Sequence, residues 1–261
     1  MLYSCIQAFT DTDESQIASE QLKKIFCRRG RRMEDFTVDR RKQPSMTSMM
    51  KQSFRENFRP GLLLQSIALA IVLMYYLWPS FQIQLQLLGR LKTESGVLFP
   101  AISTSLFGGL FPFVVIWSSR KDTMKSPWRH LLFYVLFWFW KGIEVDFMYQ
   151  GQAWLYGNSN HWLVVLKKVL TDQLVYCPLW AVPTMMLFYL WKDSNFRFSV
   201  MKEKFREDSF FRRILRVLLS NLVVWLPAVT IIYQLPLELQ LPLFNIVLAF
   251  WTLILNSVSQ K

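Results

Sequence analysis

This 261-residue chain has only two histidines and three cysteines, and neither type is spaced to hold a metal. Cys5, Cys27 and Cys177 form no C-x-x-C pair and are odd in number, which argues against a disulfide framework or a zinc site. His130 and His161 belong to no His-x-x-x-His or His-Glu-x-x-His pattern, and no Gly-x-Ser-x-Gly or Gly-rich phosphate loop occurs. Metal hydrolysis, triad chemistry and nucleotide binding therefore lack their parts, so neither enzyme activity nor any metal or cofactor is expected. Both histidines are expected at membrane interfaces, and Cys177 as a small buried hydrophobe. No apolar core follows the first residues, so a cleavable signal peptide is not expected, and the acidic residues near the start argue against a mitochondrial transit peptide.

What the chain has in quantity is apolar surface. Hydrophobic residues make up 52% and aromatic residues 16%, too greasy for an ordinary soluble domain, while 18% charged is too polar for bare bilayer filler. The net charge of +12 sits between apolar runs rather than on a folded basic domain, which favours a membrane over nucleic acid as partner. Residues 1–59 are polar, with twelve Lys or Arg against eight Asp or Glu, and read as a largely disordered cytoplasmic tail. Met46, Met49 and Met50 leave later starts open.

Six apolar blocks come after the tail, at 62–79, 96–117, 129–149, 169–191, 217–235 and 240–255. Each approaches the about 20 residues a helix needs to cross a bilayer, and all exceed the roughly 10 of a barrel strand. The fold class expected is an all-α polytopic membrane bundle of about six spans. Lys and Arg collect in the tail, at 118–129 and at 192–216, which places both termini on the cytoplasmic side by the positive-inside rule. Residues 217–255 read either as two spans or as a broken hairpin, so the count runs from four to six. The domain reading is a tail at 1–59, an additional membrane helix and loop at 60–95, and the main transmembrane domain at 96–261. In the 192–216 loop, Phe198, Met201 and Phe205 recur at helical spacing beside Lys202 and Arg206, as in a helix lying on the inner surface.

Ionisable residues inside these blocks are the candidates for function, since each is costly in hydrocarbon. Lys141 and Glu144, three apart, can pair on one face of the third block. Asp146 points elsewhere, toward Gly142, Tyr149 and Gln150, where the glycine would let another helix approach. The third block runs outward and the fourth inward, so Asp146 and Asp172 are expected at similar depth, with Lys168, Gln173 and Tyr176 completing a polar patch. Two readings stay open for Asp172: the mouth of a small aqueous pathway, or a helix-start carboxylate in which Thr171 or Asp172 caps free amides. Pro178 and Pro183 would kink or loosen the fourth block. The aromatic run 137–140 reads as packing bulk.

Lys168, the pair Asp172-Gln173 and Pro178 lie at the spacing of a pattern in the membrane-protein family typified by Mpv-seventeen and the twenty-two-kilodalton peroxisomal membrane protein. The chain resembles that family over about residues 97–257. Pro236, Asn245 and Trp251 are similar to its C-terminal signature, Trp225 and Pro227 to its upstream Trp-Pro region, and Gly142 and Tyr149 to a third motif. That third motif departs from the family: Ile143, Asp146 and Met148 stand at its proline, histidine and tryptophan places. The departures suggest a distant member, with a bacterial one open, and the resemblance implies a four-span core and a channel-like or permeability role for small solutes or ions. A structural or assembly protein without transport is the alternative. A bacterial cytoplasmic membrane is the expected location, with mitochondrial inner and peroxisomal membranes as alternatives. A homo-oligomer is left open.

Overall fold

The computed structural model describes residues 46–119, 127–206 and 209–258, and these are helical with no strand among them. The N-terminal part of the tail, with Cys5, Cys27 and the basic runs before residue 46, lies outside the described residues, as do 120–126 of the second basic segment. The helices are α1 (Met46–Leu77), α2 (Pro79–Ser95), α3 (residues 98–119), α4 (Pro127–Tyr156), α5 (Trp162–Asp193), α6 (Phe198–Arg206), α7 (Ser209–Ile232) and α8 (Leu237–Val258).

Four of these are long and apolar enough to cross a membrane: Asn57–Leu77, Leu98–Val115, Trp162–Asp193 and Ile214–Ile232. They correspond to four of the six expected blocks. The block at 129–149 lies in the 30-residue α4, where Lys141, Glu144 and Asp146 dilute the apolar character, and the last block lies in the 22-residue α8, whose apolar stretch runs over Leu237–Trp251.

Three boundaries differ from the sequence reading. Residues 79–95, expected as a loop, form α2, started by Pro79 where a missing N–H costs nothing. The expected tail is helical from Met46 onward. The fourth block begins at Trp162 rather than near 169, and His161, expected as a plain interfacial residue, is its N-cap, its ring nitrogen accepting from the Leu163 amide at 3.4 Å. Asp172 thus lies ten residues inside a continuous helix, and neither it nor Thr171 caps a helix start.

Prolines shape two of the spans. In α5 the stretch Asp172–Ala181 is π-helical and contains Pro178; in α3 the stretch Ser105–Leu110 is π-helical and Pro112 comes just after it. Proline removes an N–H and its ring crowds the carbonyl four residues back, so a locally widened turn with i→i+5 bonds accommodates it. The Val182 and Phe111 amides accordingly donate to the Cys177 and Leu106 carbonyls, five residues back.

The core is one apolar cluster running from Leu64, Ala68 and Val72 of α1 through α4, α5 and α7 to Leu248 and Trp251 of α8. Glycines make the closest seam, between α3 and α4. A Cβ on Gly142 would stand 2.1 Å from the Pro100 carbonyl oxygen, and one on Gly109 2.8 Å from the Tyr134 carbonyl oxygen. Polar side chains stitch the same region: Asn245 of α8 donates to Ser103 Oγ at 3.0 Å and accepts from Thr104 Oγ1 at 2.9 Å. After α5 the chain turns through Asn195 and Phe196 at φ of 51° and 60°. A left-handed Phe is uncommon, and here Trp191 packs edge-on against its ring at 5.0 Å while the Arg129 guanidinium covers it at 5.1 Å.

Candidate functional site

Side chains from α4, α5, α7 and α8 converge on a small cavity of about 60 Å³, whose wall includes Lys141, Tyr149, Asp172, Gln173, Tyr176, Cys177 and Asn221. A cavity needs roughly 10–15 Å³ to hold one water, so this one has room for water. The π-helical stretch puts Asp172, Gln173, Tyr176 and Cys177 on this wall together. α5, 32 residues and hence about 48 Å long, exceeds the ~30 Å hydrocarbon thickness, and Asp172 lies ten residues from its start.

Asp172 is 4% exposed and held from several sides. Tyr233, just past α7, donates its hydroxyl to Oδ2 at 3.0 Å. Gln173 Nε2 and Cys177 Sγ approach Oδ1 at 3.4 and 3.5 Å. Gln173 in turn accepts from Asn221 Nδ2 at 3.4 Å, which carries the network onto α7. Cys177, expected as a plain small hydrophobe, is buried but is also a polar member of this network. Lys168 joins indirectly: it is buried, with Nζ 5.8 Å from the centre of the Tyr233 ring, a cation–π arrangement.

A second cluster sits beside the first. Lys141 Nζ pairs with Glu144 Oε1 at 2.7 Å, as the i,i+3 spacing predicts, and also donates to Thr184 Oγ1 of α5 at 2.9 Å. Tyr176 donates its hydroxyl to the same Glu144 oxygen, so α5 reaches back across the cavity to α4.

The expected union of Asp146 with Asp172 does not form. Asp146 takes Lys92 of α2 as its ion-pair partner at 2.7 Å, and Gln150 Nε2 donates to its other oxygen at 2.6 Å. It is absent from the cavity wall, because its position on α4 faces α2 rather than α5. Lys92, within the 79–95 segment expected as a loop, is 7% exposed and also donates to the Leu237 carbonyl at 3.4 Å.

Of the other residues singled out, Gly142 is the α3 contact, Tyr149 packs edge-on against Tyr233 at 5.6 Å, and Trp225 packs on Phe244 at 5.3 Å. Pro227 is inside α7, Pro236 accepts from the Leu239 amide at the start of α8, and Trp251 is buried in the core. Sequence reasoning missed Asn221, Tyr233 and Trp138. Three of the lining residues carry a buried polar atom with no protein partner, Trp138 Nε1, Trp225 Nε1 and Asn221 Oδ1, but these atoms are covered by neighbouring groups and the surface presented to the cavity is mostly apolar.

Among the described residues no three His, Cys, Asp or Glu side chains gather as a metal would require. Scans against protein-family models, curated proteins and solved structures give no match for this chain.

Proposed function

We propose that this chain is an integral membrane protein of channel-like or permeability type, which passes ions or small polar solutes through the chamber between α4, α5 and α7. The observation that carries this reading is the convergence of Lys141, Asp172, Gln173 and Asn221 on one cavity among long apolar helices. We count α4 and the α7–α8 pair with the four apolar helices as membrane-embedded, giving about six crossings with both ends cytoplasmic, and we keep the Mpv-seventeen-like family as the proposed relationship. Lys168, Asp172, Gln173, Asn245 and Trp251, which carry that resemblance, are all buried, in keeping with it. The bacterial cytoplasmic membrane is the proposed location, and the proposed activity is non-enzymatic.

A structural or assembly role is the second reading, favoured by the protein donors that both Asp172 oxygens already have. Flux from liposomes containing the purified protein separates the two. Efflux of potassium or a glycerol-sized solute above that of empty liposomes is expected. Asp172→Asn should slow it about ten-fold, equivalent to roughly 1.4 kcal/mol of lost solute interaction. Ala181→Leu, which fills the chamber from its wall without changing charge, should slow it as well. Efflux no faster than from empty liposomes would leave only the structural role.

A further inference from the structure

A surface groove of about 530 Å³ runs along the outer side of α4, between it and the end of α5. Its α4 wall includes Trp128, Leu132, Leu136 and Trp140 at a spacing of four along one helix face, with Phe133 and Phe137 beside them. Leu132 and Leu136 are 49% and 58% exposed, so the groove opens outward. From Trp128 to Trp140 the helix rises about 18 Å, close to the ~15 Å depth of one leaflet's hydrocarbon.

The two ends of the groove differ. At one end Arg129 and Trp128 stand beside Trp191 and Phe196, the mixture of cation and aromatic rings found at headgroup level. Arg129 is the groove's charged residue; its guanidinium stacks on Phe196, and among the described residues no carboxylate pairs with it. The left-handed backbone at Phe196 holds that ring in place at an energetic cost, as at ligand clamps elsewhere. At the other end Trp140 closes the groove and separates it from the internal Lys141 ammonium, 5.0 Å from its ring. A second groove, on α3 and α8 and of about 480 Å³, is lined by apolar residues only and lacks a headgroup anchor.

We infer that the α4 groove is a binding site for one anionic phospholipid, with its phosphate at Arg129 and an acyl chain laid along Leu132 and Leu136 to Trp140. The guanidinium, with no carboxylate on it among the described residues, selects for net negative charge in the headgroup, and the length of the groove matches a chain in a single leaflet.

Native mass spectrometry of the detergent-purified full chain, offered phosphatidylglycerol and phosphatidylcholine in equal amounts, tests this. The protein should retain phosphatidylglycerol about five-fold more, the selectivity one cation near the surface supplies. Arg129→Gln should abolish the preference, Arg129→Lys should keep most of it, and Leu136→Trp should lower retention of both lipids by obstructing the chain. Equal retention of the two lipids by the unaltered protein, or a preference that survives Arg129→Gln, would overturn the proposal. So would an unchanged lipid load in Leu136→Trp with a shift from dimer to monomer, which would make a second copy of the chain the occupant.

Discussion

Replacing Gly142 with alanine is expected to cost about 3 kcal/mol or more of folding stability, with a visible loss of folded protein in detergent. The added Cβ would lie 2.1 Å from the Pro100 carbonyl oxygen, 2.8 Å from its carbonyl carbon and 2.8 Å from Thr104 Cβ. Ordinary C–H···O separations start near about 3.3 Å, so α3 and α4 would have to part by roughly 1 Å. The obstructing oxygen is backbone and cannot rotate away. Parting the helices would also disturb the neighbouring Gly109 contact and the bond from Ser105 Oγ to the Val135 carbonyl at 2.9 Å. Costs of this size arise when overpacking meets a rigid neighbour. Gly151, on the same helix with nothing within 4 Å of its would-be Cβ, is the internal control. Gly151→Ala should stabilise by about 0.5–1 kcal/mol through helix propensity. Unfolding in sodium dodecyl sulfate, or thermal melting followed by circular dichroism, compares the two; similar stabilities would show that α3 and α4 do not pack this closely.

Lys92→Met should be nearly as damaging, for an electrostatic reason. The side chains of Lys92 and Asp146 are 8% and 5% exposed, so water screens their ion pair little. Removing one partner strands the other charge in the interior, which typically costs about 3–5 kcal/mol. Gln150 remains to donate to Asp146, but one amide does not replace an ammonium at 2.7 Å. The double variant Lys92→Met with Asp146→Leu should recover most of the loss, since an apolar pair of similar volume is often neutral or better. A double-mutant cycle read as shifts in thermal midpoint decides the matter. Additive single effects, or a Lys92→Met variant within about 1 kcal/mol of the parent, would refute a strong buried pair.

The all-helical class could be read from the sequence because block length and apolarity are local properties, and four of the blocks stand as helices long and apolar enough to cross a membrane. Boundaries failed where charge is buried. Lys167 and Lys168 interrupt the apolar run and shift the expected start of α5 to about 169, yet Lys168 lies within the helix beneath Tyr233. α2 was hidden for a different reason. Residues 81–87 alternate apolar side chains with glutamine, a two-residue rhythm that masks the helical face formed by Leu85, Gly89 and Lys92. The pairing of Lys141 with Glu144 was legible from spacing alone. The partners of Asp172 and Asp146 were not, since Tyr233 is 61 residues from the one and Lys92 precedes the other from a different helix, and no local pattern specifies such contacts.

A π turn holds one residue more than the α turn it replaces, so the segments 105–110 and 172–181 bear on how this chain tolerates changes in length. A one-residue deletion within 172–181 can be absorbed by a return to ordinary i→i+4 winding, with the faces on either side still aligned. The same deletion just after residue 182 would rotate the remainder of α5 by about 100°, turning Tyr189 and Lys192 out of the core. Natural variants of this protein that differ in the length of α5 should therefore gain or lose their residues beside Pro178.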